Sequence, residues 1–373
     1  MISWLLFGVL LACIFYTLFL HWIIRRWQAG EAAYTSIEVE HDCPMVSVLV
    51  PARNEAANIK YCLHSLLAQD YPLGRLEIIV INDHSDDDTA AQVKSIDDQR
   101  LRLLELPLNV SGKKAALTTA IKEARGEIMI TTDADCSRMP QWLKQLIGLM
   151  QNGNDMVLAP VGIKGENTLL TAWQGLDVAG TLLLTGAAVQ AGHPILANGA
   201  NFAFRKTLFE QLHGFSGNER QASGDDVFLL QKAVRDKSSI AFAFHRQALV
   251  VTHPAPNWRA LFWQRLRWAG KSSAYTDVYL QAFQATAYVL NLGLILGLLL
   301  LLFRLEYWPW VLSAWLTKGF AEWYYLSFAT AKIGDRSWLK WLPVSVPLHS
   351  FYIVLIGSLA LFRFSSKWKG RRV

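Results

Sequence analysis

At 373 residues, 52% of them hydrophobic and 15 of them tryptophan, the chain holds more apolar surface than a soluble enzyme of this size buries, so part of it must meet lipid. Its net charge of +6 lies largely beside the apolar segments, where anionic headgroups attract cations, and implies no nucleic-acid binding. Cys13, Cys43, Cys62 and Cys136 are irregularly spaced, which excludes a paired-cysteine zinc site and a disulfide framework.

Ile2 to Ile24 is almost uncharged and about the length that crosses a bilayer. Arg25 and Arg26 follow this run, whereas a cleaved signal carries its charges first, so residues 1–30 are expected to be an uncleaved anchor. The string Leu10-Leu11-Ala12-Cys13 looks like a lipoprotein cleavage box, but the apolar run continues past Cys13 and no basic residue precedes it. By the positive-inside rule the two arginines put the following domain, residues 31–275, on the cytoplasmic face. Glu31 to Pro44 reads as the linker into it.

Val46 to Val50 is a short β-branched run ending at Pro51, Ala56 to Leu67 carries helical spacing, and Leu76 to Ile81 is a second strand of the buried type. A strand over Leu101 to Leu106, a helix over Lys113 to Ala124 and a strand over Ile128 to Thr132 continue the alternation. It predicts an α/β domain with a mostly parallel sheet covered by helices, binding its ligand beyond the carboxyl ends of the strands. The polar residues collect there: Arg53-Asn54-Glu55, then Asn82-Asp83-His84-Ser85, then Asp133-Ala134-Asp135. No GxGxxG follows a strand, so the dinucleotide fingerprint is absent. An acidic edge repels a bare diphosphate, and a hard divalent cation held by carboxylates resolves the conflict. Asp133 and Asp135 suit that task because alternate residues of an extended segment point the same way. The competing reading is a strand-end turn whose acids cap the next helix.

Leu169 to Gly192 is long and apolar, with Gln174 and Asp177 inside it. It interrupts a domain whose two halves must share one site, so it reads as a core or interface helix and not as a span. Asn198-Gly199-Ala200-Asn201-Phe202 puts small residues before a strand. Asp225 and Asp226 precede an apolar helix, Val227 to Val234, either as a positioned general base or as charges that complement the helix dipole. Gln264, Arg267 and Trp268 fall on one helix running toward the membrane. Arg267 can clamp diphosphate oxygens and Trp268 can face a sugar ring, or the helix can simply lie at headgroup level. Trp258, Phe262 and Trp263 fit that interfacial role, and His253 reads as a loop histidine.

Residues 276–373 are expected to form transmembrane or interfacial helices with a basic tail. Ala282 to Phe303 and Leu342 to Phe362 have spanning length. Trp308 to Ala329 contains Lys318 and Glu322, and a charge at bilayer centre costs about 2.5 to 3.5 kcal/mol, although the two can pair at i, i+4. If this segment spans, the tail with Arg363, Lys367, Lys369, Arg371 and Arg372 lies outside, against the charge rule. If it does not, the loop with Lys332, Arg336 and Lys340 lies outside instead. Four crossings is the expectation.

In order, Val48-Leu49-Val50-Pro51-Ala52-Arg53-Asn54-Glu55, Val80-Ile81-Asn82-Asp83-His84-Ser85, Gly112-Lys113 and Asp133-Ala134-Asp135 resemble glycosyltransferase family 2, with its GT-A fold. Ser223-Gly224-Asp225-Asp226 and Gln264-Arg265-Leu266-Arg267-Trp268 are similar to the base motif and the QxxRW motif of its membrane-bound members, among them ceramide glucosyltransferase and the cellulose, chitin and hyaluronan synthases. The resemblance covers about Val46 to Lys271. It implies that Asp83 binds the nucleotide base, usually uracil, that Pro51, Asn54 and Glu55 line the nucleoside pocket, and that Lys113, Gln264 and Arg267 lie on the donor. Asp135 would ligate Mg2+ or Mn2+ on the diphosphate, with Asp133 beside the metal, the ribose or the sugar. Asp226, paired with Asp225, would be the general base, and Trp268 would meet the acceptor. Asn82 departs from the family's usual Asp-Asp pair and leaves the donor more open.

The implied activity is an inverting transfer from a nucleotide diphosphate sugar, a UDP-sugar in the first instance, by a multi-pass protein of the cell membrane. A lipid acceptor is favoured over a glycan polymer, because threading a polymer needs a channel of several helices with a protected polar lining. A processive polysaccharide synthase and an inert nucleotide-sugar-binding partner are the alternatives.

Overall fold

The computed structural model describes residues 2–34, 42–217, 224–270, 277–333, 335–361, 367–368 and 371–372. The first helix, α1 (Ile2–Ala33), continues past the expected end of the anchor and absorbs the start of the expected linker. Glu31 is helical and pairs with Lys332 at 2.6 Å. Of the rest of that linker, 35–41 lies outside the described residues, as do Ser223 and Lys271.

The domain then runs β1 (Val46–Ala52), α2 (Ile59–Leu67), β2 (Leu76–Asn82), α3 (Thr89–Lys94), β3 (Leu101–Glu105), α4 (Lys113–Glu123) and β4 (Ile128–Thr131). It continues with β5 (Ser137–Arg138), α5 (Trp142–Gln151), β6 (Met156–Leu158), β7 (Val161–Ile163), α6 (Leu169–Gln190), β8 (Phe202–Arg205) and α7 (Lys206–Gln211). Last come α8 (Asp225–Arg235), β9 (Ile240–Phe242), β10 (Val250–Thr252) and α9 (Trp258–Ala269). The main sheet has the order β3-β2-β1-β4-β8-β6-β9, all parallel except β8, which is antiparallel to both neighbours. β5, β10 and β7 form a small second sheet.

The period of two in the strands divides the core between two faces. Val46, Val48, Val50, Ile78 and Val80 pack under α2 and α5, while Leu49, Ile79, Ile81 and Met129 face α4, α6 and the domain end of α1. Burying such side chains stabilises by roughly 1.5 to 3 kcal/mol each. The register sets Val46 beside both Leu76 and Ile128, so the loops after β1, β2 and β4 open on one edge.

After the domain come α10 (Val278–Leu301), α11 (Trp308–Ile333) and α12 (Leu342–Leu361). By length and composition, Ile2–Ala33, Val278–Leu301 and Ser337–Ala360 are long and apolar enough to cross a membrane. α11 is less apolar, but it runs parallel to α1 along its whole length, through Phe7 with Trp310, Tyr16 with Glu322, His21 with Tyr324 and Glu31 with Lys332. α6 crosses the domain end of these helices. Gly175 and Gly186 permit this, since a Cβ would stand 2.2 Å from the Trp338 ring at the first and 2.5 Å from Trp27 at the second.

Lys318 and Glu322 do pair, at 2.6 Å with side chains 1% and 8% exposed, and Tyr16 Oη donates to the same carboxylate at 3.2 Å. Removing one partner of a buried pair leaves an uncompensated charge and costs about 3 to 5 kcal/mol, whereas replacing both is close to neutral. Glu322→Leu is therefore expected to lower the temperature of half-inactivation in detergent markedly, and Lys318→Met with Glu322→Leu to restore most of it. Equal losses in the single and double variants would refute this account.

Candidate active site

The loop after β1 is built around Arg53, which is buried and donates to the carbonyls of Asp83 and His84, both at 2.7 Å. Asn54, at φ 51°, accepts from the Asp86 amide at 2.8 Å and so ties the first loop to the second. Glu55 donates its amide to Thr89 Oγ1 at 2.8 Å and accepts from Asn58 at 2.9 Å. Asp83 is 2% exposed and accepts from the Gly112 amide at 3.0 Å, which places the start of α4 against the second loop. Asn82 donates to Glu105 at 2.7 Å and accepts from the Ser85 amide at 3.1 Å. Its side chain is committed to holding this loop.

Gly112, at φ 96°, turns the chain into α4, and Lys113 opens that helix with Nζ 2.7 Å from Asp133 and 3.9 Å from Asp225. Burial alone would lower the Lys113 pKa, but Asp133, Asp225 and Asp226 outweigh it and hold the amine firmly protonated. Asp135 accepts from Thr252 Oγ1 of β10 at 3.1 Å. Burial first, then Asp133 and Glu55, push its carboxyl above the ordinary range. That crowding of negative charge is what a cation would relieve.

Among the described residues no three His, Cys, Asp or Glu side chains converge into a metal cage. Mg2+ and Mn2+ need none when a nucleotide supplies phosphate oxygens, because one or two carboxylates then suffice. Asp135 fits that requirement. Asp133 is already engaged by Lys113, so it is the second of the pair to consider.

Asp225 and Asp226 are the first two residues of α8 and do not precede it as expected; Gly224, at φ 87°, is its N-cap. Asp225 is buried, while Asp226 accepts from the Gly199 amide at 2.7 Å and the Val227 amide at 2.8 Å. These two bonds fix the Asp226 carboxylate and bring the 198–201 turn beside it. Asp226 thus sits in the first turn of α8 and on the wall of the cavity.

Pro51, Asn54, Glu55 and Asp83, then Lys113, Asp133 and Asp135, then Asp225, Asp226, Gln264, Arg267 and Trp268 all line one cavity of about 1300 Å3. Burial lowers the Arg267 pKa, opposed by Asp133 and Asp225. His253 also lines the cavity, and so does Trp263, which the sequence pattern had assigned to the interface; Trp258 instead packs on Trp173 with ring centroids 6.2 Å apart. The pattern placed Arg53 at the binding edge without its loop-holding role, and it missed Thr252 and the pair Arg265–Asp177 at 2.8 Å. The one available signal for the last was a lone acid in an apolar helix.

Residues 47–213 match the family model described as Glycosyl transferase family 2. It is 29% identical over 238 residues to "Probable glycosyltransferase YdaM" of Bacillus subtilis, covering 61% of this chain and 55% of that one. To "Glycosyltransferase AglE" of Haloferax volcanii it is 29% identical over 216 residues, covering 57% and 67%. A third relative, "Beta-monoglucosyldiacylglycerol synthase" of Trichormus variabilis, is 33% identical over 119 residues, covering 31% and 25%. The chain thus spans little more than half the length of the first of these. Among solved structures, "Mannosyltransferase PcManGT from Pyrobaculum calidifontis in complex with GDP-Man and Mn2+" aligns over 95% of this chain and 96% of its own, at TM-score 0.56 and 21% identity. This likeness establishes the GT-A fold, with the helices that flank the domain included.

Proposed function

We propose that the protein is a membrane-bound inverting glycosyltransferase that moves a sugar from a nucleotide diphosphate sugar to a hydroxyl of a membrane lipid. The observation that carries this reading is the single cavity on which the strand-end loops, the start of α8 and the α9 motif converge. In one displacement the acceptor oxygen attacks the anomeric carbon, its proton passes to Asp226, and the bond to the diphosphate breaks with its electron pair leaving on phosphate oxygen. Arg267 and the protonated Lys113 hold the charge that develops there. A Mg2+ or Mn2+ ion held by Asp135, with Asp133 beside it, would neutralise the diphosphate when bound. Inversion follows because one displacement occurs on one face.

In this reading α1, α10, α11 and α12 all cross the membrane, since α11 lies along α1 and its charges are paired inside the bundle. Arg25 and Arg26 then hold the domain on the cytoplasmic face of the cell membrane, and the basic tail ends on the other side. A lipid acceptor is favoured because the cavity reaches α6 and α9, which lie against the domain end of the bundle, and four helices leave little room for a polymer channel.

The test gives purified protein in native lipid a panel of radiolabelled UDP-sugars, with GDP-mannose included because the fold neighbour was solved with GDP-Man. Organic-extractable label of one or two sugars is expected. A high-molecular-weight, glycosidase-sensitive product made without added lipid acceptor would establish the polysaccharide synthase instead.

A further inference from the structure

The cavity does not end at the donor residues. It continues along α6, whose one face is buried through Trp173, Leu176, Ala179 and Leu183, while Asp177, Thr181 and Thr185 recur every fourth residue on the face that lines the cavity. Trp263 and Trp268, each 40% exposed, line the same cavity.

The hydrogen-bonding character of the α6 wall is one-sided. Thr181 and Thr185 donate their hydroxyl protons to the carbonyls of Asp177 and Thr181, both at 2.9 Å, so what they turn to the cavity is oxygen lone pairs. Asp177 is a carboxylate, held below the usual range because Arg265 and His349 outweigh its burial. Arg265 meets one of its oxygens at 2.8 Å and His349 Nε2 the other at 3.5 Å, and a carboxylate with about four lone-pair sites keeps acceptor capacity beyond these. The wall therefore accepts and does not donate. The same Arg265 guanidinium lies over the Trp268 ring at 4.4 Å, with Trp173 on it at 5.7 Å, which sets the angle of the Trp268 face.

We infer that this open face of α6, with Trp263 and Trp268 on the same cavity, is an acceptor subsite for a hydroxyl-rich headgroup, a sugar already attached to the lipid. The inference rests on the transferase reading. An acceptor-only wall matches ligand O–H groups, flat rings match the C–H faces of a sugar, and a phosphate headgroup, which donates nothing, finds no partner on α6.

The test compares phosphatidylcholine vesicles carrying diacylglycerol, monoglucosyldiacylglycerol or a polyprenyl phosphate, with maltose in solution as a fourth arm. Monoglucosyldiacylglycerol is expected to give the highest kcat/KM, and comparable use of maltose would show that the sugar is recognised without its lipid. In the Thr181→Val, Thr185→Val protein, which keeps the shape and removes the lone pairs, the KM for the glucosylated acceptor should rise roughly tenfold while kcat changes little. Nucleoside diphosphate affinity, measured by calorimetry, should be unaltered. An unchanged KM, or better transfer to diacylglycerol or polyprenyl phosphate, overturns the subsite and leaves the transferase intact. Transfer to none of the four by the unaltered protein overturns both.

Discussion

Asp226→Asn is expected to cut turnover by about 100-fold or more while nucleoside diphosphate affinity, measured by calorimetry, holds. The acceptor hydroxyl must lose its proton as it attacks, and an amide cannot take it. The substitution is otherwise mild, because an amide oxygen can still accept from the Gly199 amide that Asp226 meets at 2.7 Å, so the 198–201 turn keeps its place. Asp225→Asn is the control. Asp225 is buried 3.9 Å from Lys113, and its loss weakens the charge balance around that amine before it touches proton transfer. If Asp225→Asn stops turnover and Asp226→Asn does not, the base is the first acid of the pair.

Asp135→Ala is expected to abolish transfer, as is EDTA with the unaltered protein, and added Mg2+ or Mn2+ should rescue the latter only. Full activity in chelator would remove the metal from the mechanism. The same carboxylate carries a second, separable expectation about stability. Burial, Asp133 and Glu55 raise its pKa in the folded state, so the folded protein binds this proton more tightly than the unfolded chain does. Its ionisation therefore destabilises the fold: the penalty is absent below the unfolded carboxylate range and complete once pH exceeds the raised folded value. In EDTA at neutral pH, Asp135→Asn should unfold at a higher temperature than the unaltered protein, and the difference should vanish in strong acid. A site stabilised for function at the expense of the apo fold behaves this way.

Much of the domain was legible because its signals are local. A buried parallel strand is a short β-branched run, and Val46 to Val50, Leu76 to Ile81 and Ile128 to Thr132 were each placed within a residue or two of β1, β2 and β4. The polar residues after them had to gather on one edge once the strands were parallel. The helices expected over Lys113 to Ala124, over Val227 to Val234 and around Gln264 to Trp268 also needed only nearby residues. The α1 boundary was missed because Glu31 looks like a linker charge until Lys332, on another helix, is seen to meet it.

The amino-acid sequence by itself determined the strand-end chemistry, the apolar segments and the order of the site motifs, since each depends on neighbours within a few positions. Only the tertiary structure decided which acid of each pair is engaged and by what. Lys113 claims Asp133, the Gly199 amide claims Asp226, Thr252 holds Asp135, and Arg265 on α9 meets Asp177 on α6. Those partners are far apart in the chain, and no periodicity records a contact that exists only once the sheet has brought β4, α6, α8 and α9 around one cavity.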